Sequence, residues 1–385
     1  MLILNLSSLF FSITIFLLIP VLPIYLYRDL GASEQEVGLI IPLTFLTSAF
    51  LRIPSSLRIR RRISQVLVLG LALNALAIMG YGISWDLLSF ALFRILHGLA
   101  LAINYTLLLT VAGMIAEFGG TERAITSYTA ALALGFWVGP LVGIILRGMA
   151  ELRYVMFATA LLGAVATALA IPLLKSCRPR EEDIAGKGVL SIKDVLKPPN
   201  ILLALVYLSF SLASGAIFAY GPLKAKLEFG LTDQLILLFF LAYYFTAFIV
   251  RLFLLKSKRL LESFGLNKLI MFGLLASALG ILITGLSQSL SLFGLGLFLA
   301  GLAHGLIFPL TASAVALTTP IQLRILGNSF HLTSFDIGSL TGSTMASMLV
   351  GFMPISYSLA ALSISPLLGL LALRKLSNSE ALKPQ

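Results

Sequence analysis

Residues 175–199 read KSCRPREEDIAGKGVLSIKDVLKPP, the one long polar interruption in a chain that is otherwise a succession of apolar runs. Mixed charges, Gly186, Gly188 and the paired Pro198 and Pro199 mark a linker, with a short surface helix expected around Leu190 to Leu196. Before it lie apolar stretches near 4–26, 37–57, 64–84, 87–116, 124–146 and 154–174. After it lie stretches near 200–222, 234–255, 267–286, 290–316, 325–350 and 354–373. A helix rises about 1.5 Å per residue, so a hydrocarbon core of about 30 Å needs about 20 apolar residues. Lipid offers the backbone no hydrogen bonds, and a barrel would need strands half as long with alternating polarity, which these stretches lack. The pattern predicts an all-α membrane protein of twelve transmembrane helices. It divides into a six-helix bundle over 1–174, the cytoplasmic linker 175–199, and a second bundle with a short tail over 200–385.

The formal charge of +11 raises the question of nucleic acid, and the placement of the cations answers it. With the N-terminus inside, the inner loops and tail hold Arg58, Arg60, Arg61, Arg62, Arg123, Lys175, Arg178, Arg180, Lys187, Lys193, Lys197, Lys256, Lys258, Arg259, Lys268, Arg324, Arg374, Lys375 and Lys383. The outer loops hold only Arg28, Arg147, Arg153, Lys224 and Lys226. Short cytoplasmic loops retain Lys and Arg, so both termini are expected in the cytoplasm and the chain in the cytoplasmic (inner) membrane. The basicity reports topology and gives no support to a nucleic-acid partner. The first stretch lacks a basic n-region and outruns a signal-peptide core, so it reads as a retained helix. The only cysteine, Cys177, excludes an intrachain disulfide and a cysteine-based metal site. No P-loop, nucleotide fold or zinc spacing is present; no cofactor and no metal are expected.

The halves repeat each other weakly. Arg52 near the end of span 2 matches Arg251 near that of span 8, and both precede a basic cluster. LHGL with His97 and Gly98 in span 4 resembles AHGL with His304 and Gly305 in span 10; GPLV then Gly143 in span 5 resembles GSLT then Gly342 in span 11. Six-span halves entering from the same side imply a parallel repeat about an axis along the membrane normal, with a cavity between two bundles that rock.

These motifs together resemble the major facilitator superfamily, over all twelve spans. IPVLPIYLYRDLGASEQEVGLI (19–40) is similar to the proline-containing first helix and loop of drug or sugar efflux members. FRILHGLALA (93–102) resembles the family's Arg-x-x-Gln-Gly pattern, with His97 in place of glutamine. In GFWVGPLVG, Gly135, Gly139, Pro140 and Gly143 match most of the antiporter motif, while Ile144 stands where a further glycine is common. FDIGSLTG (335–342) is similar to an Asp-Leu-Gly pattern of relatives. The loop after span 2 departs: PSSLRIRRRIS (54–64) lacks the glycine and the acid of the family's Gly-x-x-x-Asp-Arg-x-Gly-Arg-Arg pattern, so the cytoplasmic charge network that acid joins is expected to be altered. The resemblance implies a non-enzymatic secondary transporter, acting as a monomer in the lipid bilayer and exchanging a small solute for protons as an efflux protein. Proton symport or facilitated uptake of a sugar or other metabolite is the alternative, and a transporter-like receptor or scaffold is a third reading.

Of sixteen acidic residues, only Asp336 falls in the middle of a span. About 11 residues from Arg324 place it roughly 16 Å deep, where an ionised carboxylate costs several kcal/mol unless paired. It should be protonated or matched to a cation, which suits a proton carrier, a site for a cationic solute, or a carboxylate joining span 11 to a neighbour. Ser329, Thr333, Asp336, Ser343 and Ser347 share one helical stripe, and His331 points about 140° away. Arg94, with His97, is the second proton-coupling candidate, because its guanidinium stays charged at depth and the family's corresponding arginine is implicated in proton transfer. Its other reading is snorkelling to the outer interface with a purely stabilising hydrogen-bond role. Arg52 and Arg251, within about a turn of inner helix ends, read as snorkelling cations. Asn104, Tyr105, Phe136, Trp137, Ser211, Ser214, Tyr243, Tyr244, Asn328 and His331, with Phe218 and Phe308, are candidates to line a mostly apolar cavity suited to an amphipathic or lipophilic solute. Gly135, Gly139 and Gly143 allow close helix approach, and Pro140 a bend.

Overall fold

The computed structural model describes residues 1–58, 62–115, 121–176, 192–256, 264–320 and 323–377. Among these we number the spans α1 (Leu2–Arg28), α2 (Glu34–Ile40 and Leu43–Arg58), α3 (Ile63–Ile83), α4 (Leu87–Ile115), α5 (Thr121–Met149) and α6 (Leu152–Ala170). The second set is α7 (Pro198–Leu227), α8 (Asp233–Lys256), α9 (Leu266–Leu286), α10 (Leu290–Thr318), α11 (Arg324–Val350) and α12 (Ile355–Ala361 and Ile364–Ser377). Eleven of these are long and apolar enough to cross a bilayer; α11 is 27 residues long but too polar to count with them. Its polarity is explained by its place, since six of its hydroxyls (Ser329, Thr333, Ser334, Ser339, Ser343 and Ser347) and Asp336 are buried against protein. Of the linker, residues 175–176, ending a short helix Leu173–Ser176, and residues 192–199, with a 3₁₀ turn at Ile192–Asp194, are described. Cys177 lies outside the described residues, as do Leu190 and Ser191 at the start of the expected surface helix and 59–61 of the loop after α2; the rest of that expected helix, 192–196, is the 3₁₀ turn and its exit.

The same packing occurs twice. In the first set α1 lies on α5 and α6, α3 on α4 and α6, and α2 on α4; in the second α7 lies on α11 and α12, α9 on α10 and α12, and α8 on α10. Small residues permit these approaches. A Cβ at Gly139 would stand 2.8 Å from the Leu17 nitrogen of α1, and one at Gly338 only 2.5 Å from the Leu208 oxygen of α7. Larger side chains there would push the helices apart. The turns after α1 and α7 also match: Gly31 (φ 69°) and Gly230 (φ 62°) are left-handed, where a side chain is strained. Each turn closes alike, Ala32 N–H on the Leu26 oxygen at 3.0 Å and Leu231 N–H on the Ala225 oxygen at 3.2 Å.

The two sets meet along α2–α11, α5–α8 and α1–α7. Outward faces carry Leu69, Leu76, Leu161, Phe253, Leu279 and Leu371 in the open, as a surface meeting lipid requires. Exposed Trp85, Tyr154, Phe352 and Tyr357 stand at the end away from the termini, where an aromatic belt marks a membrane boundary. We call this the far end.

Candidate functional site

A break in α2 explains much of the geometry between the halves. Pro42 has no N–H, so the Gly38 carbonyl loses its helical partner, and Phe45 N–H turns to the Pro42 oxygen at 2.8 Å, leaving the Ile41 carbonyl free as well. Both carbonyls find side chains. Ser343 of α11 donates to Gly38 O at 2.9 Å, across the halves, and Arg94 of α4 donates through Nη2 to Ile41 O. One turn nearer the far end, Ser347 donates to Gln35 O at 2.8 Å, and Tyr220 of α7 donates to Glu34 O at 2.9 Å.

The polar stripe of α11 therefore meets α2, and Asp336 continues it. Arg52 donates to Asp336 Oδ2 from Nη2 at 2.8 Å and from Nε at 3.0 Å, and Ser48 Oγ donates to the same oxygen at 2.8 Å. Arg52 Nη2 also donates to Ser48 Oγ at 2.6 Å, and the guanidinium lies 5.8 Å from the Tyr105 ring centre. The side chains of Arg52 and Asp336 are 3% and 5% exposed. The expectation that Arg52 snorkels to an interface is thus corrected. It lies on the α11-facing side of α2, so the nearest place for its charge is Asp336, a carboxylate buried between the halves. Removing either partner from such a pair typically costs about 3–5 kcal/mol, because the other charge remains buried alone.

Arg94 and His97 belong to a different network. Arg94 is 6% exposed, and its Nη1 donates to Tyr81 Oη at 3.3 Å. Tyr81 Oη in turn lies 2.7 Å from His97 Nδ1, His97 Nε2 lies 3.0 Å from Asn74 Oδ1, and Asn74 Nδ2 donates to Thr14 Oγ1 at 3.2 Å. With the tyrosine donating to Nδ1 and Nε2–H donating to the asparagine, a neutral imidazole satisfies every contact. The chain joins α1, α3 and α4 and includes no carboxylate.

The cavity candidates separate. Phe136 of α5, Tyr243 and Tyr244 of α8 cluster with Phe16 and His304: Phe16 is 4.0 Å from Phe136 and 5.0 Å from Tyr244, and Phe136 is 6.2 Å from His304, between ring centres. Phe218 joins them at 6.2 Å from Tyr243. Arg251 completes the group, its guanidinium 4.4 Å from the centre of Phe136 and 5.3 Å from that of Phe308. It too departs from simple snorkelling, since these rings belong to α5 and α10. Tyr105 joins Arg52 and packs edge-on to Phe11. The other candidates lie apart from the cluster. Trp137 packs on Phe245 and Phe248; Asn104 donates to Gly70 O at 3.0 Å; Ser211 and Ser214 donate to Leu208 O and Phe210 O on their own helix. His331 stacks on Tyr207 at 4.3 Å and contacts Thr311 Oγ1 at 3.0 Å, and Asn328 is half-buried. Gly135 and Gly139 meet α1, and Gly143 meets both Leu17 of α1 and Leu237 of α8. Pro140 lies within α5 and does not end it.

Sequence reading missed a clasp at the far end. Buried Asp233, at the start of α8, takes Arg28 of α1 at 2.8 Å, Arg147 of α5 at 2.7 Å and Lys226 of α7 at 3.1 Å. Two of those cations come from the first set of helices, so one carboxylate ties the halves together. Neighbouring Asp29 pairs with Arg28 at 2.9 Å, yet burial pushes its carboxyl above the usual range. Only topology was read from Arg28, Arg147 and Lys226, because no sequence spacing links them to Asp233.

The comparisons with known proteins agree with this architecture. No curated protein matches by sequence. Among solved structures, a nucleoside transporter, NupG, superposes with a TM-score of 0.73 at 13% identity, covering 98% of this chain and 99% of its own. A bacterial homologue of the human lysosomal transporter Spinster, in an inward-facing and occupied conformation, gives 0.72 at 14%, covering 98% and 95%. The human organic anion transporter MFSD10 (TETRAN) gives 0.68 at 17%, covering 96% and 98%. At such identities the likeness establishes the fold. The family model described as Major Facilitator Superfamily matches residues 4–259. With twelve described helices in a twice-repeated packing and that match over most of the chain, this multi-pass membrane protein belongs to the major facilitator superfamily.

Proposed function

We propose that the chain is a secondary transporter of the cytoplasmic membrane, exchanging a small amphipathic solute for protons by alternating access, with Asp336 as the proton-carrying group and Arg52 as its partner. The observation that carries this reading is the buried Asp336–Arg52 pair between the halves. A proton added to Asp336 removes the charge that holds Arg52, so protonation alters the α2–α11 contact on which rocking depends. Arg94 and His97 serve a structural part in this mechanism, by covering the α2 break and joining α1, α3 and α4. The excess of inner Lys and Arg supports cytoplasmic termini, which makes the far end the outer side. The cross-half bonds of Asp233, Glu34, Gln35 and Gly38 then close that side, an inward-facing state.

The aromatic cluster around Phe136 and Tyr244 supports an apolar body in the solute, and the glycines that seat α5 on α1 support the antiporter resemblance. Export is the direction assigned. The test uses the purified chain in liposomes enclosing a pH-sensitive dye, challenged with amphipathic acids, bases and neutral compounds, with a nucleoside and a sugar as controls. Solute-dependent proton movement opposite to the solute is expected. Movement in the same direction would replace exchange by symport, and solute flux without protons would remove Asp336 from the coupling role.

A further inference from the structure

Arg251 is a cation between the halves without an anion among the described residues. Its one hydrogen bond to the described residues, from Nη2 to the His304 carbonyl, is long at 3.3 Å, and its Nε is enclosed without a partner among them. Two further polar atoms nearby are equally unmet: His304 Nδ1 and the Tyr244 hydroxyl, on side chains 6% and 0% exposed. The His304 ring lies 6.4 Å from that of Tyr244 and 6.2 Å from Phe136, the ring that faces Arg251. Three unsatisfied groups thus surround one aromatic cluster, whereas buried polar groups ordinarily find partners.

The repeat shows what is missing. Arg52, which matches Arg251, is met by Asp336, two residues before Gly338; on α5 the residue two before the matching Gly139 is Trp137, which carries no charge. The rings of Phe136 and Phe308 attract the guanidinium by their faces but do not neutralise it or fill its hydrogen-bonding fork. That fork fits a carboxylate, and the surrounding rings fit an apolar planar body.

We infer that the transported solute is an organic anion, with a single carboxylate held by Arg251 and an aromatic body lying against the cluster of Phe16, Phe136 and Tyr244. This rests on the transport reading above and gives it a substrate class. The amphipathic character expected of the solute is retained, and its polar end becomes a carboxylate.

The test is binding, measured apart from flux, on the full chain in detergent or lipid nanodiscs. Calorimetric titration would use benzoate, 2-naphthoate and 4-phenylbutyrate, with 2-naphthamide and 2-naphthylmethylamine as neutral and cationic counterparts and chloride as a simple anion. At least one carboxylate is expected to bind, tighter than its amide by about tenfold or more, as a charge-assisted hydrogen bond implies. In Arg251→Gln that preference should vanish, and in Arg251→Lys it should be partly kept. If Arg251→Gln does not fold, the acid–amide difference in the native chain decides, together with Arg251→Lys. No carboxylate binding, equal binding of 2-naphthoate and 2-naphthamide, unchanged preference in Arg251→Gln, or competition by chloride as strong as by 2-naphthoate would each overturn the inference. Anion binding without any flux would leave the site standing and defeat the transport reading. Flux of neutral solutes alone would do the reverse.

Discussion

Arg52 and Arg251 occupy matching places in the two halves, but Arg52 is held by Asp336 and Ser48 while Arg251 faces the rings of Phe136 and Phe308. Both lie at contacts between the halves, α2–α11 for one and α5–α8 for the other. The repeat supplied the same scaffold twice, and the chemistry then diverged at one position on the facing helix, aspartate in α11 and tryptophan in α5. Arg52, buried, has an internal counterion until a proton intervenes, whereas half-buried Arg251, without one among the described residues, is open to an anion from outside. On the functions proposed above, one interface handles the proton and the other the solute.

The sharpest way to break this contrast is to remove one charge of the satisfied pair. Asp336→Leu leaves Arg52 buried alone and should cost about 3–5 kcal/mol of stability, read as a lower unfolding temperature in detergent. Adding Arg52→Met should recover most of that loss without restoring pH-driven exchange. A double variant as unstable as the single one would mean that packing, not the orphaned charge, sets the cost. The converse is Trp137→Asp, which supplies α5 with the carboxylate that α11 already has. It should weaken 2-naphthoate binding by about tenfold, read by calorimetry, as an internal anion takes Arg251.

A smaller effect is expected where three cations share one acid. Asp233→Asn should weaken far-end closure by about 1–2 kcal/mol, less than a buried pair because Arg28 is 35% exposed and screened by water. Distances between spin labels at Trp85 and Phe352, in a chain with Cys177 replaced, should then lengthen in part of the population. His97→Gln should be the mildest, about 1 kcal/mol in stability, with the pH profile of exchange unchanged because the His97 contacts are complete with a neutral ring. A displaced pH profile would return His97 to the coupling role.

How much of this was legible in the sequence follows from the range of each interaction. Helix length and polarity are local, so the spans were readable from hydropathy, and the repeat from landmarks such as Gly139 and Gly338. The burial of Asp336 followed from its depth, and the contacts of Ser343 and Ser347 with α2 follow the helical stripe they share with it. Its partner was not legible, because Arg52 is separated from it by 284 residues and residue counting gives depth without direction. The same blindness hid the Asp233 clasp. For Arg94 a cue existed in Pro42, whose missing N–H must free a carbonyl, but which side chain would answer required the packing of α4 on α2.

The central claim is that the proton acts at Asp336, and exchange driven by an imposed pH gradient tests it most directly. In proteoliposomes, Asp336→Asn should retain downhill counterflow of a bound solute and lose its response to the gradient. Gradient-driven accumulation equal to that of the native chain would contradict it.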